Sequence, residues 1–171
     1  MPEFDEKQKH IRTMLAERGL DAVVLKRVSS FAWATCGASS YINVAATEGV
    51  ATLLITPTAR HVITSNNEVA RFEQEEKLVE QGWEMHVVPW HGANHAISDL
   101  TRGLKLGADG EYPGCVNLSN EIACLRANLA PEEGERFRTL GRLCADAMNS
   151  AIRAVRPGQT EYEIATLLVH H

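Results

Sequence analysis

The chain has 171 residues, 44% of them hydrophobic and 23% charged, with a net charge of -5 at pH 7; that length suits roughly one domain and a short extra element. The balance is that of an ordinary, mildly acidic globular chain. It has no basic stripe interleaved with aromatics, which excludes a nucleic-acid reader, and no apolar run near the roughly 20 residues that a membrane span needs.

The N-terminus, MPEFDEKQKH, is too polar for a signal peptide, so the expected compartment is the cytoplasm. From Pro2 to Arg18 the spacing of Phe4, Ile11, Met14 and Leu15 predicts a helix with one apolar face, ended by Gly19 as a left-handed cap. Asp21 to Lys26 is a short apolar run without polar alternation, the pattern of a strand covered on both sides. A short helix is expected over Phe31 to Thr35, followed by the small-residue loop Cys36-Gly37-Ala38-Ser39-Ser40. Val50 to Thr56 and Arg60 to Ser65 flank Pro57-Thr58-Ala59 and read as an antiparallel hairpin.

Ser65 with Glu68 has the capping-box spacing and should start a charged surface helix carrying Val69, Phe72 and Leu78. Beyond it come a strand over Trp83 to Pro89, a short helix over His95 to Arg102, a strand over Lys105 to Ala108 and a helix over Ser119 to Asn128 with Ile122 and Leu125 inward. A long helix opens at Pro131, where a missing N–H costs nothing, with Glu132, Glu133 and Glu135 at its positive end. Its apolar stripe is Phe137, Leu140, Cys144, Ala147, Met148, Ala151 and Val155, and Pro157-Gly158 stops it. Thr160 and Glu163 then form a second capping box, opening a helix that carries Ile164, Leu167 and Leu168. Alternating strands and helices with one hairpin imply an α/β fold, a mixed sheet with helices on both faces followed by a long C-terminal helix.

Motifs for catalysis are sparse. There is no G-x-S-x-G elbow, and Gly103, Gly107, Gly110 and Gly114 lack the spacing and the lysine-serine end of a phosphate loop. His91 and His95, with His86 nearby, have a four-residue spacing that zinc exploits on a helix, but Pro89 and Gly92 disfavour that helix, and surface histidines are the better reading. Cys36 beside Gly37 is a packed small residue rather than a nucleophile, because no base accompanies it. The four cysteines, with no C-x-x-C pair, read as reduced core thiols, and Asp99, Asp109 and Glu111 as solvated charges. Trp33, Trp83 and Trp90 read as core or rim, although Trp90-His91 stands at a strand end, where an α/β sheet exposes side chains to ligands. The loop from Ser39 to Thr47 offers Tyr41 and Asn43, groups common both in pockets and in plain turns.

Three stretches carry a family resemblance. RPGQTEYEIA, Arg156 to Ala165, resembles the entry to the catalytic "pita-bread" domain of the creatinase, prolidase and Xaa-Pro aminopeptidase family. Arg18 to Leu25 (RGLDAVVL) resembles that family's first loop and strand, and Arg126 to Arg138 (RANLAPEEGERFR) its interdomain connector; Phe31 to Glu48 departs from the commoner versions.

The resemblance implies a creatinase/prolidase-like N-terminal domain of ribonuclease H-like fold over residues 1–129. Residues 130–171 would then be the connector and first helices of a truncated catalytic domain. It implies that the parent is an Xaa-Pro metallopeptidase, whose two divalent ions (manganese, cobalt or zinc) are held by two aspartates, a histidine and two glutamates beyond this sequence. On that basis the chain holds no catalytic or metal-ligand residues and is inactive alone. Its expected tasks are to shape the active-site entrance and to support a homodimer, with its own catalytic domain and a peptide or small amide substrate as further partners, and neither nucleic acid nor membrane among them. The substrate-facing candidates are Tyr41, Asn43, Trp90 and His91. A creatinase-like amidinohydrolase parent, or a self-standing binding or oligomerisation module, are the alternatives, since fold alone does not fix function.

Overall fold

A computed structural model describes residues 2–91 and 95–169. It divides into two compact units, residues 1–128 and 129–171.

The first unit is built on a six-stranded sheet. Its elements are α1 (Pro2–Arg18), β1 (Ala22–Arg27), α2 (Val28–Ala34), β2 (Glu48–Ile55), β3 (Arg60–Ser65), β4 (Glu84–Val88), α3 (Ala96–Leu100), β5 (Leu106–Ala108), β6 (Cys115–Asn117) and α4 (Ser119–Ala127). The strand order is β4-β3-β2-β1-β5-β6. β2 runs antiparallel to both its neighbours, while the β3–β4, β1–β5 and β5–β6 pairs are parallel. Five strands therefore end at one edge of the sheet, and β2 begins there.

β1 is apolar from Ala22 to Leu25 because both its faces are covered there. Val23 and Leu25 belong to the larger core with Leu15, Phe31, Leu53 and Phe72; Ala22 and Val24 belong to a smaller core with Leu54, Ile63, Ile97 and Ala108. α1 turns Phe4, Ile11, Met14 and Leu15 into the larger core, and Gly19 closes the helix at φ +61. Phe31 and Phe72 meet there with ring centroids 5.7 Å apart. Complete burial of a phenylalanine contributes about 1.5–3 kcal/mol. Gly107 is required by close approach: a Cβ there would stand 2.3 Å from Leu118.

The register of β1 against β2 slips between Leu25 and Arg27. Such a bulge leaves backbone groups off the ladder. Asp109, just past β5 and only 3% exposed, fills the gap: Lys26 N–H donates to its Oδ1 at 3.0 Å and Arg27 N–H to its Oδ2 at 2.9 Å. Asp109 is thus a structural clamp and not a solvated charge.

Other expectations need correction. Ser65 ends β3 instead of capping a helix; its carbonyl accepts from Glu68 N–H at 3.1 Å, and the helical segment that follows is π-helical over Arg71–Glu75. β6 is too short to announce itself, at three residues. None of the cysteines forms a disulfide; Cys124 and Cys144 are exposed and are not core thiols, while Cys36 and Cys115 are partly buried and pack against the larger and the smaller core. Burial does raise the Cys115 thiol pKa.

The second unit consists of α5 (Pro131–Ala154) and α6 (Glu161–Val169). Glu133 accepts from the Ala130 N–H at 2.9 Å, which ties down the start of α5. At α6 the capping box forms as its spacing demands: Thr160 N–H donates to Glu163 Oε2 at 2.8 Å, and Glu163 N–H to Thr160 Oγ1 at 3.3 Å. The Thr160 N–H, and then the Thr160 hydroxyl, which donates to the same carboxylate oxygen at 2.9 Å, hold the Glu163 carboxyl below its ordinary pKa. Among the described residues no helix is long and apolar enough to cross a membrane.

Replacing Asp109 with alanine is expected to destabilise the first unit by about 3 kcal/mol, since two bonds to a charged acceptor at roughly 1.5 kcal/mol each are lost and two N–H groups are stranded. Urea unfolding measures this. A loss below about 0.5 kcal/mol, typical of a surface change, would contradict the clamp.

Candidate functional site

The edge where β1, β3, β4, β5 and β6 end carries the chain's irregular loops, and the sheet topology makes one place on it special. From β1 the chain moves to β2 on one side, whereas β5 pairs with β1 on the other. Loops diverge at such a switch point and leave a crevice where α/β proteins bind ligands. Here it is a cleft of about 250 Å³ lined by Lys26, Thr47, Glu48, Asp109, Glu111 and Tyr112, among others. Lys26 crosses its mouth, paired with Glu48 at 2.8 Å and lying 5.4 Å from the centre of the Tyr112 ring. Sequence reading missed this cleft, because the acids after β5 look like any loop charges until the parallel β1–β5 pairing places them beside Lys26.

The four residues singled out from sequence stand at the same edge. Trp90 and His91 follow β4; their rings meet edge to face at 5.5 Å, and Trp90 N–H donates to Asn66 Oδ1 at 2.9 Å. Trp90 is 66% exposed and does not plug the core. Tyr41 and Asn43 sit in the loop before β2 and are held by other contacts. Asn43 Oδ1 accepts from Ala45 N–H at 2.9 Å, so its carbonyl serves its own turn. The loop is pinned by Arg71, whose guanidinium donates to the carbonyls of Ser39 at 3.0 Å and Tyr41 at 3.3 Å. Gly49 lets β2 pass close beneath: its added Cβ would fall 2.1 Å from Ser40 Oγ.

His91 and His95 do not share a helix. His91 lies in a turn and His95 precedes the first residue of α3; Gly92 between them lies outside the described residues. His86 has a different partner. On β3 and β4, His61, Glu84 and His86 gather on one face of the sheet, because the parallel register sets His61 opposite Glu84 and Ile63 opposite His86. His61 Nδ1 lies 3.0 Å from His86 Nε2 and 3.1 Å from Glu84 Oε2. Burial first, and then His86, hold the His61 imidazole below its ordinary pKa, while Glu84 pulls the other way. The sequence signal for this group was the i, i+2 spacing of Glu84 and His86, which share a strand face; His61 joins them only through the parallel β3–β4 pairing.

Comparison with solved structures identifies the fold. Over 96% of its length the chain is similar to 47% of a prolidase from Pyrococcus horikoshii, with a TM-score of 0.72 and 16% identity. A prolidase from Pyrococcus furiosus matches 95% of the chain with 51% of its own, at a TM-score of 0.71 and 13% identity. An X-Pro aminopeptidase from Thermotoga maritima matches 95% with 48% of its own, at 0.64 and 18%. No family model matches the sequence, and no curated protein is similar to it. The fold is that of the prolidase N-terminal domain followed by a long helix, and the chain spans about half the length of these structures.

The pinning of the loop can be checked by replacing Arg71 with alanine. Limited proteolysis should then cut between residues 38 and 47 several-fold faster, about what a loss of 1 kcal/mol or so in local stability allows, with the core transition nearly unmoved. Equal cleavage rates would show that the loop is ordered without Arg71.

Proposed function

We propose that this chain is the non-catalytic N-terminal portion of an Xaa-Pro metallopeptidase of the prolidase and aminopeptidase P type. One observation carries the reading: the likeness to prolidases extends over 96% of this chain yet uses 47% of the longer structure. The RPGQTEYEIA turn and the capped α6 support it, because that stretch resembles the entry to the catalytic domain. In this reading the two divalent ions and the five residues that hold them belong to the remainder of the parent protein. Two cations there would lower the pKa of a shared water and polarise the peptide carbonyl.

This chain's share of the work is the carboxyl edge of the sheet. Trp90 offers a flat, exposed ring to pack on a proline or small side chain, and His91 beside it offers a proton or, when charged, a partner for a carboxylate. Tyr41 adds a second ring from a loop pinned by Arg71, and the carboxamide of Asn43 braces that loop. The second assigned task, support of a homodimer and of the catalytic domain, has its motive in α5. At about 36 Å for 24 residues, it leaves Phe137, Leu140, Leu143, Met148 and Ile152 roughly half exposed or more. Side chains of this kind, in a continuous run, call for a covering partner.

The chain alone, supplied with manganese, cobalt or zinc, should hydrolyse neither Xaa-Pro dipeptides nor amidino substrates, while the longer protein should cleave the former. Turnover by the isolated chain would sink this assignment, and cleavage of amidino compounds alone by the longer protein would move it to the creatinase-like branch.

In the longer protein, Trp90→Ala and His91→Ala should each reduce kcat/KM by about tenfold, the equivalent of roughly 1.4 kcal/mol of transition-state binding, at an unchanged melting temperature. Kinetics equal to the unsubstituted protein, or losses that only follow unfolding, would remove both residues from the site.

A further inference from the structure

The group on β3 and β4 presents an unresolved electrostatic problem. Three atoms with lone pairs, His61 Nδ1, Glu84 Oε2 and His86 Nε2, lie within 4.8 Å of one another. His61 Nδ1 touches both of the others, at 3.0 and 3.1 Å. A proton on His86 Nε2 satisfies the contact with His61 but leaves Glu84 facing a lone pair. A proton on His61 Nδ1 satisfies Glu84 but leaves His86 beside a donor already spent. One hydrogen serves one contact well; a cation serves all three at once.

We infer that His61, Glu84 and His86 form a binding site for a single divalent transition-metal ion, zinc or a close relative, at the edge of the sheet. The reading is independent of the proposed peptidase assignment.

The geometry fits the ion. Zinc bonds of about 2.0–2.2 Å in a tetrahedral shell put ligand atoms roughly 3.4 Å apart, so the two contacts of His61 need to open by a few tenths of an ångström, while Glu84 and His86, within 4.8 Å of each other, adjust by side-chain rotation. Backbone rearrangement is unnecessary, because the hydrogen-bonded ladder from His61–Glu84 to Ser65–Val88 already fixes the register. Two imidazoles and one carboxylate favour zinc, cobalt, nickel or copper over calcium and magnesium, which seek shells of oxygen. The His61 side chain is 14% exposed and that of Glu84 70%, so the site is walled on one side and open on the other. An open fourth position suits a water molecule or a further ligand. Bound there, the ion would tie the edge strand β4 to β3 and stiffen the strand that leads directly to Trp90 and His91.

The test is calorimetric titration of zinc chloride into the metal-free chain, with His170 and His171 replaced by alanine so that they offer no competing pair. One equivalent should bind saturably with a micromolar or tighter Kd. Glu84→Gln and His86→Ala should each weaken binding by more than about tenfold, a loss that even substitutions outside the ligand shell can reach. His91→Ala, His95→Ala and the Cys124→Ser, Cys144→Ser pair should bind like the starting chain. Nitrogen NMR should show the His61 and His86 ring signals moving with zinc before those of His10 or His91. If His86→Ala fails to fold, Glu84→Gln decides, since that side chain is mostly exposed. Absence of stoichiometric binding, undiminished affinity in Glu84→Gln, or a preference for calcium over zinc would overturn the inference.

Discussion

The carboxylate of Asp109 holds the first unit together where β1 meets β2 and β5. β1 must pair with β2 on one side and β5 on the other and then turn immediately into α2, and its ladder with β2 slips at the turn. Two backbone N–H groups would be stranded there without an acceptor, at a cost of about 1–3 kcal/mol each. Asp109 supplies both bonds from the end of β5, so one side chain closes the bulge, fixes the parallel β1–β5 pair and forms the floor of the switch-point cleft. Ser119 Oγ donates to the Asp109 carbonyl at 3.3 Å, which links the start of α4 to the same joint.

Much of the fold is legible in the sequence where local chemistry and burial agree. The stripe of Phe4, Ile11, Met14 and Leu15 makes α1, the unalternated run after Asp21 makes the central strand, and the Thr160–Glu163 box opens α6 as its spacing requires. Failures arise where tertiary pairing overrides a local signal. Ser65-x-x-Glu68 looks like a helix start, but Ser65 pairs with Val88 in the β3–β4 ladder and is consumed by it. β6 needs β5 as a template, and its three residues carry no periodicity of their own.

The candidate sites are less legible, for the same physical reason. Trp90 and His91 could be placed at a strand end because a single strand tells where its end lies. The cleft around Lys26 and Glu111, and the meeting of His61 with Glu84 and His86, depend on which strands are neighbours. His86 was visible, but sequence proximity drew it toward His91 and His95, whereas the parallel ladder gives it to His61, 25 residues away. Asp109 was misread in the same way, as a loop charge, because its two donors lie 82 and 83 residues earlier.

Fold and function connect through the distribution of apolar surface and loops. The sheet buries its own faces, and the carboxyl edge gathers the exposed rings of Trp90 and Tyr41, while α5 retains a run of apolar side chains at its surface. That is how a domain would be built if it worked beside a catalytic partner. The most direct measurement is the coding sequence that follows residue 171 in the gene. The account predicts an open frame of comparable length that supplies two aspartates, a histidine and two glutamates in a pita-bread domain. A stop codon at that point in the genome, or a continuation without those ligands, would contradict it.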